Sequence, residues 1–173
     1  MGSRDKENWF QTTVVSLESP LLNYTYKILS RLAPSEEVVQ ESFFRLWKQE
    51  FPGNFEHYPK AWLYKVCRNL ALDILKKEKR MDLEGSLDEI LFSPCVSETL
   101  LESSLIMQEV VKLTVQQQEV LVLKFKDELS YKEIAELTGL SVSHVGVLLH
   151  EALGALREVI LADLKRLEPE TRL

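Results

Sequence analysis

KAWLYKVCRNLALDILKKEKR, residues 60–80, is the stretch that decides the fold. On a helical wheel Leu63, Val66, Cys67, Leu70 and Ile74 fall on one side, spaced three and four residues apart. Lys65, Arg68, Asn69, Lys76 and Lys79 gather on the other. Seven basic residues, Lys60 and Arg80 among them, stand against Asp73 and Glu78, a balance of +5. A solvated helix face has this composition, and so does a surface that meets phosphates. Pro59 suits the first helical position, where its missing N–H has no partner to lose.

Upstream, residues 5–18 and 20–32 each show helical apolar spacing and are read as two helices separated at Pro20. PSEE at 34–37 is a helix-start signal, with Ser35 as N-cap and acids in the first turn; the helix should run to about Lys48. FPGNFEHYP, 51–59, is a loop of turn formers and aromatics. Phe51, Phe55, Tyr58 and Trp62 therefore lie beside the basic row. Such a pairing suits single-stranded nucleic acid, where stacking contributes about 1–3 kcal/mol per base. The alternative is that Phe55 and Trp62 seal the core. No strand-like alternation occurs, so the fold class is all-α.

Downstream, residues 81–108 hold six acids and no base, with Gly85, Pro94 and several serines, as a linker does. Two capping boxes follow, Thr114-x-x-Gln117 and Ser130-x-x-Glu133, each opening an apolar-periodic helix. Gly139 stops the second helix and Ser141 is the N-cap of the last. Residues 131–150 fit a helix-turn-helix: Ile134, Ala135 and Leu137 pack the first helix, and Val145, Leu148 and Leu149 anchor the second. Ser143, Val147, His150, Gly154 and Glu151 point outward. The organisation is a helical domain at 1–82, an acidic linker at 83–108 and a helix-turn-helix domain at 109–173.

The whole chain of 173 residues carries a net charge of −6, but the sign is unevenly spread. Residues 1–80 hold 13 Lys+Arg against 10 Asp+Glu, so the front is the basic part. Cys67 and Cys95 fit neither a disulfide framework nor a zinc spacing, and His57, His144 and His150 form no ligand set with them. There is no glycine-rich phosphate loop, nucleophile elbow or HExxH. No run reaches the ~18 apolar residues of a membrane span, and MGSRDKENWFQ lacks the apolar core of a secretory signal. The expectation is a cytoplasmic protein with no enzyme activity, metal, cofactor, small-molecule substrate or membrane insertion.

VVQESFFRLW (38–47) followed by KAWLYKVCRNLALDILKKEKR resembles region two of extracytoplasmic-function sigma factors. EVLVLKFKDELSYKEIAELTGLS (119–141) resembles their region four, in the family's order. The resemblance implies a subunit that docks on core RNA polymerase, captures promoter DNA and answers to an anti-sigma factor. By it, Glu37, Gln40, Glu41 and Arg45 occupy the polar positions that grip the polymerase. Asn54, Phe55 and Tyr58 lie in the segment that pockets a flipped minus-ten base. Lys60, Trp62, Lys65, Arg68, Asn69 and Lys76 lie along the promoter. Lys132, Ser141, Ser143, His144, Val147 and His150 stand where the minus-thirty-five element is held. The acidic linker would thread cationic channels of the polymerase; a solubilising spacer would look the same.

One departure stands out. Family members usually carry basic residues at the positions of Gly146, Leu148 and Glu151, yet no Lys or Arg occurs between Lys132 and Arg157. Phosphate neutralisation dominates affinity for duplex DNA, so the absence should weaken binding. Three readings compete. DNA is held by Ser143, His144, His150, helix amides and Lys124, Lys126 and Lys132; or minus-thirty-five reading is weakened, the reading preferred; or the small apolar face Gly146, Val147, Leu148 meets a protein. The function expected is an alternative sigma factor. The rival is a sigma mimic that occupies an anti-sigma factor, and a plain helix-turn-helix repressor comes third.

Overall fold

The computed structural model describes residues 3–49, 59–81 and 105–167. The described residues form helices and connecting turns, with no strand. The chain divides into two compact units, 1–93 and 94–173.

The front unit is built from α1 (Ser3–Leu29), α2 (Leu32–Lys48) and α3 (Pro59–Met81), each packed on the other two. Leu17, Leu21, Tyr24 and Ile28 recur at four- and three-residue spacing along α1 and are all buried. They meet Val38, Val39, Phe43 and Leu46 of α2 and Leu63, Tyr64, Cys67 and Ala71 of α3, all buried too. The Tyr24 and Tyr64 rings lie 5.1 Å apart, tilted, joining α1 to α3. Phe10 sets its edge against Phe43 at 6.3 Å and against Trp47 at 5.0 Å, closing α1 on α2.

Three expectations for this unit are corrected. Pro20 does not separate two helices: α1 runs through it unbroken. An interior proline costs about 3 kcal/mol, but the buried stripe lies on both sides of it and holds the helix together. Ser35 is not the N-cap of α2. The cap position is Arg31, in extended backbone (φ −141°, ψ 132°) with no side-chain cap bond. Pro34 is then the third helical residue, where no intrahelical N–H bond is lost. Ser35 is buried one turn in, its hydroxyl donating to the Arg31 carbonyl at 2.6 Å. Finally, the core face of α3 is rotated toward Tyr64 and Ala71, which are fully buried, while Val66, Leu70 and Ile74 are half-buried. Packing against two helices, rather than one, widens the buried arc.

Between the three helices sits a small polar cluster. The Cys67 thiol donates to the Ser42 hydroxyl at 3.2 Å, and that hydroxyl donates to the Val38 carbonyl at 2.7 Å. Burial pushes the Cys67 thiol up from its usual 9.0 to about 11, against the smaller opposing effects of its polar neighbours Ser42 and Thr25. The thiol stays neutral, as a buried small apolar residue would.

The back unit comprises α4 (Leu105–Lys112), α5 (Val115–Leu121), a π-helical turn (Val122–Lys126), α6 (Tyr131–Thr138) and α7 (Val142–Leu167). Helix α4 takes in the last residues of the expected linker; residues 83–104 of that linker lie outside the described ones. Both capping boxes form as the spacing predicts. The N–H of Gln117 donates to Thr114 Oγ1 at 3.3 Å and the N–H of Thr114 donates to Gln117 Oε1 at 3.0 Å. Ser130 and Glu133 repeat the exchange at 3.3 and 2.8 Å. Gly139 ends α6 in the left-handed region (φ 80°), where only glycine is free of strain. The Ser141 hydroxyl caps α7, accepting from the His144 N–H at 3.1 Å.

The π-helical turn was not legible in the sequence. It closes with the Asp127 N–H on the Val122 carbonyl at 3.0 Å, and Glu128 follows at φ 56°. The wider turn lets Leu123 and Leu129 both stay buried and puts Phe125 on the surface, 60% exposed.

Candidate nucleic-acid interface

Helices α6 and α7 meet at 105°, within the range of a helix-turn-helix. Ile134, Ala135 and Leu137 of α6 and Val145, Leu148, Leu149 and Ala152 of α7 form the packed wedge between them. With that side committed to the core, α7 turns Ser143, His144, Val147, His150, Glu151 and Gly154 to solvent. Lys132 and Ser141 are exposed beside them.

The structure separates the three positions where family members carry cations. Leu148 is buried, so it belongs to the core and not to an apolar outward face, which corrects that part of the third reading. Gly146 is half-buried. A Cβ there would lie 3.8 Å from Cε2 of Tyr131, an ordinary contact. Glu151 is exposed but engaged, accepting from Gln117 Nε2 at 3.1 Å. Above Tyr131 stands Lys124, its ammonium 5.5 Å from the ring centroid and donating to the Leu129 carbonyl at 3.3 Å. Tyr131 and Lys124 thus form a stack against the first turns of α7. The sequence reading missed Tyr131. Its only signal was an aromatic at the first position of α6, next to a cation.

In the front unit, α3 turns Lys65, Asn69 and Lys76 to solvent as the wheel predicts, with Arg80 in line. Lys60, Trp62, Arg68 and Lys79 are half-buried, because the rotated core face draws this flank of the helix inward. Lys76 makes only a long 3.9 Å pair with Asp73, both side chains largely exposed, which contributes little. Asn54, Phe55 and Tyr58 lie outside the described residues.

On α2, Glu37, Gln40 and Arg45 are exposed and Glu41 is half-buried. Arg45 Nε donates to Glu41 Oε1 at 2.7 Å, one helical turn apart. Two aromatics share this surface unforeseen. Phe44 is 51% exposed with the Lys48 ammonium 4.0 Å over its ring, and Trp47 is 38% exposed under the Lys6 ammonium. Off-stripe apolar residues on a helix otherwise patterned for burial are the signal that could have found them. Beside them, Glu37, Val38, Glu41, Leu70, Asp73, Ile74 and Lys77 line an open groove of about 320 Å³ between α2 and α3. Among the described residues no cluster of three His, Cys, Asp or Glu could hold a metal ion. Nor is any single helix among them long and apolar enough to cross a membrane.

A cation-faced helix in one all-helical unit and a helix-turn-helix in the next define a nucleic-acid-binding protein. Residues 13–81 match Sigma-70 region 2, and residues 103–156 match Sigma-70, region 4. The chain is similar to the ECF RNA polymerase sigma factor SigW of Bacillus subtilis, 29% identical over 147 residues, 77% of this chain and 79% of SigW. It is 28% identical over 142 residues to the ECF RNA polymerase sigma factor SigL of Mycobacterium tuberculosis, covering 79% of this chain and 80% of SigL. Its fold is similar to that of the sigma factor RpoE of Bartonella quintana, solved in complex with the anti-sigma factor NepR. The TM-score is 0.61 at 20% identity, over 89% of this chain and 98% of RpoE. The chain belongs to the sigma-70 family and resembles its extracytoplasmic-function members.

Proposed function

We propose that this chain is an alternative sigma factor that binds core RNA polymerase through α2, captures the minus-ten element along α3, and holds the minus-thirty-five element weakly through α7. The observation that carries the reading is the presence of exposed Lys65, Asn69 and Lys76 on α3 and of a complete helix-turn-helix later in the same chain. Cations on α3 follow phosphates, while unstacking a promoter base costs a few kcal/mol that contacts must offset. Glu37, Gln40, Glu41 and Arg45, with Phe44 at their centre, supply a polar face around one apolar anchor for the polymerase. Helix α7 contributes no cation to solvent between Val142 and Leu156, which is why its hold on duplex DNA is weak. The stack of Lys124 on Tyr131 brings one cation to its edge. The work is done in the cytoplasm, without catalysis.

The test is run-off transcription with purified core polymerase and genomic fragments. Discrete promoter-dependent transcripts are expected. Replacing Phe44 by alanine should abolish them by weakening core binding while leaving the fold intact. If the native chain binds core polymerase yet yields no transcript from any fragment, the reading is overturned.

The absence of cations from α7 before Arg157 also favours a second reading, a sigma mimic that occupies an anti-sigma factor, as RpoE of Bartonella quintana is held by NepR. The run-off assay separates the two.

A further inference from the structure

In α7 the residues available to touch base edges include no Lys or Arg as far as Leu156, so no bidentate contact to guanine can be made from its first turns. Between Ser143 and His150 the solvent face offers instead a hydroxyl at Ser143, imidazoles at His144 and His150, and one large apolar side chain, Val147; Val142 and Leu153, also exposed, lie before and after this stretch. Val147 is 50% exposed on the sixth residue of α7, with Ser143 one turn before it and His150 one turn after. It has no packing role, because Val145, Leu148 and Leu149 already hold the helix to its core. In a helix-turn-helix the N-terminal residues of the second helix face the major groove. The apolar feature that this groove presents is the thymine C5-methyl. Serine and histidine pair with more than one base, so they discriminate poorly on their own.

We propose that Val147 is a specificity-determining residue, its methyl groups set against a thymine methyl in the upstream promoter duplex. The inference rests on the reading of α7 as a DNA-facing helix and deepens it. A helix with little phosphate affinity still selects sequence when its one distinctive contact is apolar. That contact excludes water from both methyls and requires no charge. Removing it should lower affinity by about fourfold, the effect of exposing one methyl group.

The test uses the full chain bound to core RNA polymerase and a pool of duplexes randomised upstream of a fixed minus-ten sequence. Each thymine in the selected sequence is then replaced by deoxyuridine, which lacks only the methyl. For the native chain one position should show about fourfold weaker binding with uracil. Val147→Ser, exposed and hence harmless to the fold by circular dichroism, should bind the thymine and uracil duplexes equally. Uracil tolerated at every position by the native chain overturns the contact alone. So does a uracil penalty that survives Val147→Ser. A pool in which no upstream sequence is enriched overturns the DNA-facing reading of α7 and this inference with it.

Discussion

The side-chain amide of Gln117 donates to Glu151 at 3.1 Å while its carbonyl oxygen accepts from the backbone N–H of Thr114. One glutamine therefore caps α5 and ties it to α7. The carboxylate of Glu151 is held at the N-terminal end of α5, where the helix dipole favours negative charge. Glu151 belongs to the scaffold that orients α7. From the sequence Glu151 was placed only as an outward residue where family members carry a cation, and this tie was not foreseen. Gln117→Ala should lower stability by about 1–2 kcal/mol, since the cap and the tie are both lost. Glu151→Ala should cost about 0.5–1 kcal/mol, because it removes only an exposed hydrogen bond. Urea unfolding of the two single variants and the double variant gives a coupling energy, and additivity would show that the bond contributes nothing.

A second expectation concerns Cys67, whose thiol is raised from 9.0 to about 11 chiefly by burial. The folded state holds the proton more tightly than the unfolded chain, so its contribution is complete below about pH 9 and is lost as pH rises toward about pH 11. In a Cys95→Ser background, stability should fall with pH across that window. Cys67→Ala should flatten the slope, and the native thiol should resist a disulfide reagent at pH 8. Rapid modification in the folded protein would show that the thiol is not shielded.

Glu128 gives a third. Its φ of 56° puts a side chain in the left-handed region, at a strain of about 1–2 kcal/mol. Glycine there is strain-free but has more unfolded-state entropy to lose, which offsets part of the gain. Glu128→Gly should therefore stabilise the back unit by about 0.5–1 kcal/mol, seen as a rise of a few degrees in Tm. A lowered Tm would mean that Glu128 makes a stabilising contact outweighing its strain.

How much of this was readable beforehand follows from the range of each signal. Thr114, Ser130, Gly139 and Ser141 were placed correctly because caps and stops act within four residues and do not depend on the rest of the fold. Pro20 and Ser35 were misplaced by the same local rules, because burial on neighbouring helices decided both. Tyr64 was missed as core since its partner, Tyr24, sits on another helix. The bond from Gln117 to Glu151 spans 34 residues, and nothing local announces it. The same holds at the candidate interface. Exposure of Lys65, Asn69, Val147 and His150 followed from helical period alone, whereas the Lys124–Tyr131 stack required the π-helical turn that brings them together.

A fourth expectation follows from the exposed cations of α3. Lys65 and Lys76 point to solvent and make no strong internal pair, so reversing both to glutamate should leave the helical circular dichroism unchanged. Arg68 is unsuited to this test because it is half-buried. The double variant on core polymerase should lose open-complex formation, read by permanganate reactivity of unpaired thymines. Its promoter binding should also show a salt dependence shallower by about 2 in log–log slope, one phosphate per lysine. Normal melting by this variant would remove α3 from the interface.

The last expectation returns to α7 and Gly146. A side chain there meets only Tyr131, at ordinary contact distance, so lysine fits without displacing the core. Replacing a helical glycine should by itself add up to about 0.5–1 kcal/mol of stability. The new ammonium would sit beside Ser143 and His150 on the side facing the groove, close to the Lys124–Tyr131 stack. Gly146→Lys should therefore tighten binding of duplex DNA by the full chain and steepen its salt dependence by about 0.9, the increment for one phosphate. Glu151 is left alone, since replacing it would break the bond to Gln117 and confound affinity with stability. Fluorescence anisotropy across a range of salt concentrations measures both quantities. An unchanged slope would show that position 146 does not approach phosphate. If the same variant then lost binding to an anti-sigma factor, this face of α7 would be a protein contact, and the mimic would become the better account of the chain.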